Sequence, residues 1–237
     1  MKLESYYQID GNRLSFTREQ ASEFAKSVAG DFNRIHDVDS KRFCVPGDLL
    51  FSVIIHHYGL RETMGFSFSG MVTDTDTLIL PETRAREISI YDLDDKKFLD
   101  VSSNGETSRN PELIESVTRQ CVEYSGHTFP HVLVPLMREH NVMINTDRPL
   151  VIYDHMRLTM ERLDIDSVSL QAAQAELRLY GKRGEAALNF ELYSDGEKVG
   201  SGQKKMVLSG LREFEQEKID ELVNNTLERK QAYLAGR

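Results

Sequence analysis

Two titratable side chains stand close together in a short polar segment of the chain. Asp31 and His36 belong to Asp31-Phe32-Asn33-Arg34-Ile35-His36, directly after Gly30. A carboxylate and an imidazole that share one loop can carry a proton between water and a substrate. The same pair can instead form a hydrogen bond that only fixes the course of the loop, because paired titratable groups are not always functional. Both interpretations stay open at this point.

A second cluster of chemically active side chains lies in Gly126-His127-Thr128-Phe129-Pro130-His131. A histidine of this cluster is a candidate acid or base. The alternative is that His127 and His131 hydrogen-bond to polar groups of a loop. No pair of histidines at helical spacing has a carboxylate as third ligand, so we expect no metal site, and we expect no cofactor.

Composition narrows the class of protein. The chain has 237 residues, a formal net charge of −9 and two cysteines, Cys44 and Cys121. This length can bury a large core without disulfides, and so few cysteines suit a reducing compartment. No apolar run is long enough to span a membrane, and the first residues do not resemble a signal peptide. We therefore expect a cytoplasmic protein that binds neither membranes nor, being acidic, nucleic acid.

The first half of the chain predicts a hairpin, two helices and then several strands. Asp10-Gly11 is a hairpin turn, and Thr17 with Gln20 forms a capping box at the start of an amphipathic helix that ends near Gly30. Asp48 is predicted to be the N-cap of a second helix, which is apolar on nearly every face and must be buried. Short β-rich runs follow at 77–80, 88–91 and 98–101.

The second half repeats this order. Asn110-Pro111 predicts a helix start, and the apolar stripe that follows ends at Gly126. A short apolar stretch at 132–137 predicts a second buried helix, and strands are predicted from 156 to 208. The repetition indicates two modules, residues 1–105 and 106–210, followed by a charged amphipathic helix over 211–237.

The segment from Ala29 to Asp37 resembles the hydratase motif of the MaoC-like branch of the hotdog-fold superfamily. That motif reads small residue, Gly-Asp, any residue, Asn-Pro-Ile-His, then an acid; here Arg34 replaces the proline. The matching residues are Gly30, Asp31, Asn33, Ile35, His36 and Asp37. The resemblance implies an α+β double hotdog, in which two long buried helices are each wrapped by an antiparallel sheet and the sheets pair edge to edge. The whole chain also looks like a bacterial family of unknown function.

The resemblance implies roles for individual residues. Asp31 and His36 would hold a water molecule between them, with Asn33 in a supporting position. Backbone amides around Gly47 and Asp48 would bind the thioester oxygen at the start of the buried helix. The family has a glycine where this chain has Asp48, so a carboxylate stands close to the expected oxyanion.

A weaker resemblance concerns the second half of the chain. The stretch from Gly126 to His131 is similar to the Gly-His-Phe-Pro stretch of hotdog dehydratases that act on acyl carrier protein. In that family a histidine is the acid and base, which would be His127 here, and a glutamate on the buried helix is its partner. Glu139 is the nearest downstream candidate for that partner, although its spacing differs from that of the family.

These resemblances predict a protein that binds an acyl thioester of coenzyme A or of acyl carrier protein. The predicted reaction is hydration of a 2-enoyl thioester, or the reverse dehydration, as in fatty acid metabolism. A non-catalytic acyl-binding or regulatory protein is the alternative, and an acyl-CoA thioesterase is the third candidate. Association of two chains into a homodimer is left open.

Overall fold

A ten-stranded antiparallel sheet runs through the chain in the computed structural model, which describes residues 2–83 and 85–236. The twelve strands, of which β7 and β12 pair only with each other, are β1 (Gln8–Asp10), β2 (Arg13–Ser15), β3 (Leu60–Phe68), β4 (Leu78–Ile79), β5 (Glu87–Asp92), β6 (Lys97–Ser108), β7 (Val142–Met143), β8 (Val151–Met160), β9 (Ser169–Tyr180), β10 (Arg183–Ser194), β11 (Glu197–Ser209) and β12 (Arg212–Glu213). The helices are α1 (Arg18–Phe24), α2 (Gly47–Tyr58), α3 (Pro111–His131), α4 (Leu133–Glu139) and α5 (Gln216–Ala235).

The strand order is that of two hotdog sheets joined at one edge. The first half has the order β1-β2-β4-β5-β6-β3, and the second continues as β8-β11-β10-β9. The two halves meet where β3 pairs with β8, from Thr63 opposite Thr159 to Ser67 opposite His155. The predicted double hotdog is therefore confirmed.

The buried helix of the first half is α2. Its residues 49 to 55 are all buried, as expected for a helix that is apolar on every face and is covered by both sheet and neighbouring helices. The corresponding helix of the second half, α4, has only 7 residues, whereas α3 before it has 21. In the second half, the longer helix is therefore the one that precedes the position of α2 in the repeat.

Local sequence signals explain where several elements begin. Thr17 and Gln20 form the predicted capping box of α1, and the helix continues as a π-helical turn, Ala25–Ala29. That turn ends at Gly30, whose φ of 67° lies in the left-handed region that glycine adopts without strain. Asn110 caps α3 by accepting a hydrogen bond from the amide of Glu112.

Two predictions about helix ends are wrong. Pro46, not Asp48, occupies the N-cap position of α2, and Asp48 lies inside the first helical turn. Helix α3 does not end at Gly126 but continues to a kink at Phe129, whose φ of −106° and ψ of 127° are not helical, before its last residue, His131. A β-carbon on Gly126 would lie 1.7 Å from the carbonyl oxygen of Ala29, so the glycine permits a close approach of α3 to the end of the first helix.

Strand β3 was not predicted, although it joins the two halves. Its signal is the alternation of Met64, Phe66 and Phe68 with Gly65 and Ser67. Charged and polar residues at its start, directly after the apolar helix, conceal that alternation.

Helix α5 packs against the second half and reaches back to the first. Ile219 belongs to a buried cluster with sheet residues of the second half. Near the other end, the Tyr233 hydroxyl contacts Glu23, and its ring lies edge-on to Phe32 at 5.6 Å between centroids. No helix among the described residues is long and apolar enough to cross a membrane.

Candidate functional site

A cavity of about 790 Å³ lies where the two halves meet. Its walls come from the segment 30–36, the start of α2, the C-terminal part of α3, strand β8 and one face of α5. Ligand sites of this size commonly hold a molecule as large as a drug or a cofactor arm. Asp31, Asn33, His36, Gly47 and Asp48, all predicted site residues, line this cavity together.

Asp31 and His36 face each other across the loop. The Nε2 atom of His36 lies 3.5 Å from Oδ2 of Asp31. The Nδ1 atom lies 2.6 Å from the carbonyl oxygen of Cys44, and because a carbonyl only accepts, Nδ1 carries the proton. In the neutral imidazole, Nε2 is then an acceptor that faces a second acceptor, the Asp31 carboxylate. A donor of two protons, such as water, suits this arrangement.

The loop between these residues is held by its own side chains. The Asn33 amide donates to Oδ1 of Asp31 at 2.8 Å, and the Asn33 side chain accepts from the amide of Ile35 at 3.2 Å. Residues Arg34–His36 form a single 3-10 turn capped by Asn33. The turn therefore forms without the proline of the family motif.

The residue after His36 anchors the loop to distant elements. Asp37 is bound by Arg229 of α5 and, at 3.1 Å, by Lys26. Burial raises the pKa of Asp37, but the hydrogen bonds and charges of Arg229 and Lys26 outweigh this effect and lower it below its usual value. The ion pairs thus hold His36 near α5 and the end of the first helix.

The start of α2 provides two free backbone donors. Within the described residues, no acceptor is found for the amides of Gly47 and Asp48, which precede the first amide that bonds inside the helix. A β-carbon on Gly47 would lie 2.6 Å from Cδ1 of Tyr153, so only glycine allows this packing. Free amides at the positive end of a helix dipole form an anion site.

The Asp48 carboxylate is bound to side chains of the second half. Lys204 lies 3.0 Å from Oδ2 of Asp48 and 2.5 Å from Oγ of Ser125, and the Ser125 hydroxyl lies 2.9 Å from Oδ1 of Asp48. The Lys204 and Asp48 side chains are only 4% and 13% exposed. Burial raises the pKa of Asp48, and Lys204 and Ser125 oppose this rise. We call these three residues the Asp48 network.

Tyr153 forms the floor beneath this network. Its ring lies 3.7 Å from Nζ of Lys204, a cation–π contact, and packs against Phe68. Burial raises the pKa of the Tyr153 hydroxyl well above 10, so the phenol is neutral. Sequence reasoning missed Ser125, Tyr153 and Lys204, because the partners of Asp48 lie up to 156 positions away in the chain.

The histidines of the second half lie outside the cavity. His127 is exposed on α3, where its ring contacts the backbone carbonyl of Glu123 at 2.9 Å. His131 and Glu139 are also exposed, and none of the three lines the cavity. The predicted rival site therefore lies outside this cavity.

Cys44 lines the cavity but is not activated. Burial raises the pKa of its thiol to about 12, so almost no thiolate forms near neutral pH. No group of three or more metal-binding side chains occurs within residues 2–83 and 85–236.

A family model described as "Protein of unknown function (DUF3581)" matches residues 1–217. The chain belongs to this family. No curated protein matches the DUF3581 chain.

Several solved structures are similar to the DUF3581 chain, all at low identity. A conserved protein of unknown function with a hot dog fold from Alicyclobacillus acidocaldarius has 9% identity and a TM-score of 0.48, over 88% of this chain and 98% of that one. A conserved hypothetical protein with a double hotdog fold from Mycobacterium tuberculosis has 10% identity and a TM-score of 0.46, over 84% and 94%. A tesB protein from Mycobacterium avium subs paratuberculosis has 7% identity and a TM-score of 0.45, over 87% and 97%.

Proposed function

We propose that the cavity binds an acyl thioester and that Asp31 and His36 add water to its 2,3 double bond, or remove it in the reverse reaction. The observation that carries this proposal is that His36 Nε2 and Asp31 Oδ2, both acceptors when the imidazole is neutral, lie 3.5 Å apart on the wall of a 790 Å³ cavity. One water molecule that donates a proton to each acceptor presents its lone pair to the substrate.

The reaction needs a base and a proton donor near the same double bond. The water oxygen attacks C3 while one of its protons passes to the Asp31–His36 pair, and the pair delivers a proton to C2. Water is thereby added across the bond with no other reactant. The hydrogen bond from Nδ1 to the Cys44 carbonyl keeps Nε2 directed at the cavity.

Negative charge develops on the thioester oxygen in the transition state. The free amides of Gly47 and Asp48 at the start of α2 can stabilise this charge by donating hydrogen bonds to the oxygen. The Asp48 carboxylate does not cap the helix and does not occupy these amides. Its own charge is compensated by Lys204 at 3.0 Å. The departure from the family glycine at this position is therefore compatible with an oxyanion site.

The test follows the loss of enoyl-thioester absorbance with short- and medium-chain trans-2-enoyl-CoA. We expect turnover in the wild type and a loss of about 10²- to 10⁴-fold in Asp31→Asn, the range for removing a general acid or base. Asp39→Asn, at an exposed position of the same loop outside the cavity, is the matched control and should retain full activity.

Other outcomes assign other functions. If no enoyl chain is turned over but saturated acyl-CoA binds, the hydratase proposal is wrong and the protein is a non-catalytic acyl-binding protein. If free thiol is released from saturated acyl-CoA instead, the protein is a thioesterase. If Asp31→Asn loses activity only together with its folded circular dichroism spectrum, the pair serves the loop and not the reaction.

A further inference from the structure

Positive charge accumulates at the cavity although the chain carries a formal net charge of −9. Five cationic side chains line the cavity, against three carboxylates. Two of the cations, Lys204 and Arg229, are paired with Asp48 and Asp37. The other three are arginines.

The three carboxylates of the lining already have partners. Asp31 faces His36, Asp48 binds Lys204, and the third, Asp147, lies 3.4 Å from Arg212. No acidic group of the lining is therefore left to neutralise an additional arginine.

Arg34, Arg42 and Arg148 are the uncompensated cations. All three are exposed and line the cavity. Within residues 2–83 and 85–236, no hydrogen bond or ion pair is found for any of these side chains. Guanidinium groups bind phosphate oxygens in a bidentate manner, so three arginines without such partners in the lining of one cavity are suited to a phosphate ligand.

We propose that Arg34, Arg42 and Arg148 bind the phosphate groups of coenzyme A at the mouth of the cavity. This proposal rests on the proposed function, because it places the pantetheine arm and the acyl chain in the 790 Å³ cavity that the arginines line. Coenzyme A offers a diphosphate and a 3′-phosphate, whereas a carrier protein offers a single phosphodiester. Three free guanidinium groups match the nucleotide better, so we assign coenzyme A and not a carrier protein.

The experiment measures the dissociation constants of free coenzyme A, dephospho-coenzyme A and pantetheine by titration calorimetry at low salt. In the wild type we expect affinity to fall in that order. Each exposed guanidinium–phosphate pair contributes about two- to fivefold in affinity, so Arg34→Gln/Arg42→Gln/Arg148→Gln should weaken coenzyme A about tenfold to a hundredfold. Pantetheine binding should be unchanged in this triple variant, and added salt should reduce only the coenzyme A affinity of the wild type.

Arg13→Gln, an exposed arginine of β2 outside the cavity, is the matched control and should bind as the wild type does. The proposal is overturned if the triple variant binds coenzyme A unchanged, if it loses pantetheine equally, or if holo acyl carrier protein binds tighter than coenzyme A.

These outcomes are separable from failure of the proposed function. Turnover of an enoyl-pantetheine thioester that does not depend on the arginines supports hydration and refutes the arginine site. Arginine-dependent binding of coenzyme A without enoyl turnover supports the arginine site and refutes hydration.

Discussion

Replacing Lys204 by methionine should destabilise the protein strongly, because it leaves the Asp48 carboxylate buried without its cation. The Lys204 side chain is 4% exposed and its ammonium group is 3.0 Å from Asp48 and 2.5 Å from Ser125. Removing one partner of a buried ion pair typically costs about 3–5 kcal/mol. With a urea m value of about 3 kcal/mol/M, the unfolding midpoint should fall by about 1–2 M.

Removing both charges should be less harmful than removing one. In Asp48→Asn/Lys204→Met no buried charge remains, so we expect a coupling free energy of at least about 2 kcal/mol relative to the sum of the single variants. The assay is urea unfolding followed by circular dichroism, since the chain has no tryptophan to report by fluorescence. Lys205→Met, the next residue on β11, is the control and should lose less than about 1 kcal/mol.

Two results would refute this reasoning. The first is a loss below about 1 kcal/mol in Lys204→Met, which would mean that solvent or another cation compensates Asp48. The second is strict additivity of the two single variants, which would mean that the pair is not coupled across the interface of the two halves.

Three further predictions concern acid stability, packing and thiol reactivity. The pKa of Asp37 is lowered in the folded state, so its ion pairs stabilise the protein fully above the usual aspartate pKa of about 3.9. This stabilisation is lost as the pH falls through the folded pKa, and acid unfolding of Asp37→Asn should lack that loss of stability. Gly126→Ala should lower the free energy of unfolding by about 1–3 kcal/mol, because the new β-carbon would meet the Ala29 carbonyl, even though alanine favours helices. An increase in the free energy of unfolding, measured with urea, would contradict this close contact. Cys44 should react with a disulfide reagent at pH 8 much more slowly in the native than in the unfolded protein, and equal rates would contradict the raised pKa of its thiol.

Much of the fold follows from local sequence signals. Three of these signals involve contacts within only a few residues of the chain: the capping box at Thr17, the cap at Asn110 and the Asp195-Gly196 turn between β10 and β11. The end of α3 is not of this kind. Gly126 looks like a helix terminator in the sequence, yet its absent side chain serves a contact with Ala29, almost a hundred residues earlier.

The candidate site also contains one part that follows from neighbouring residues and one part that depends on residues far apart in the chain. Asp31 and His36 lie in one loop, so their proximity follows from their spacing, and the structure places them 3.5 Å apart. The partners of Asp48 lie on α3 and β11, and nothing near Asp48 in the sequence indicates them. Helix-cap statistics favoured Asp48 as an N-cap, but a buried ammonium group competes more strongly for the carboxylate than two amides do.

The pairing of β3 with β8 has a consequence for how the cavity responds to dilution. Asp31 and Asp48 come from one half of the chain, and Ser125 and Lys204 come from the other. Were the halves separate polypeptides, assembly of this cavity would follow mass action and fail at low protein concentration. Because one chain carries both, the effective concentration of each half for the other is set by the tether and does not change with expression level. Assembly of the cavity is thus expected to stay complete even in a cell that contains only a few copies of the protein.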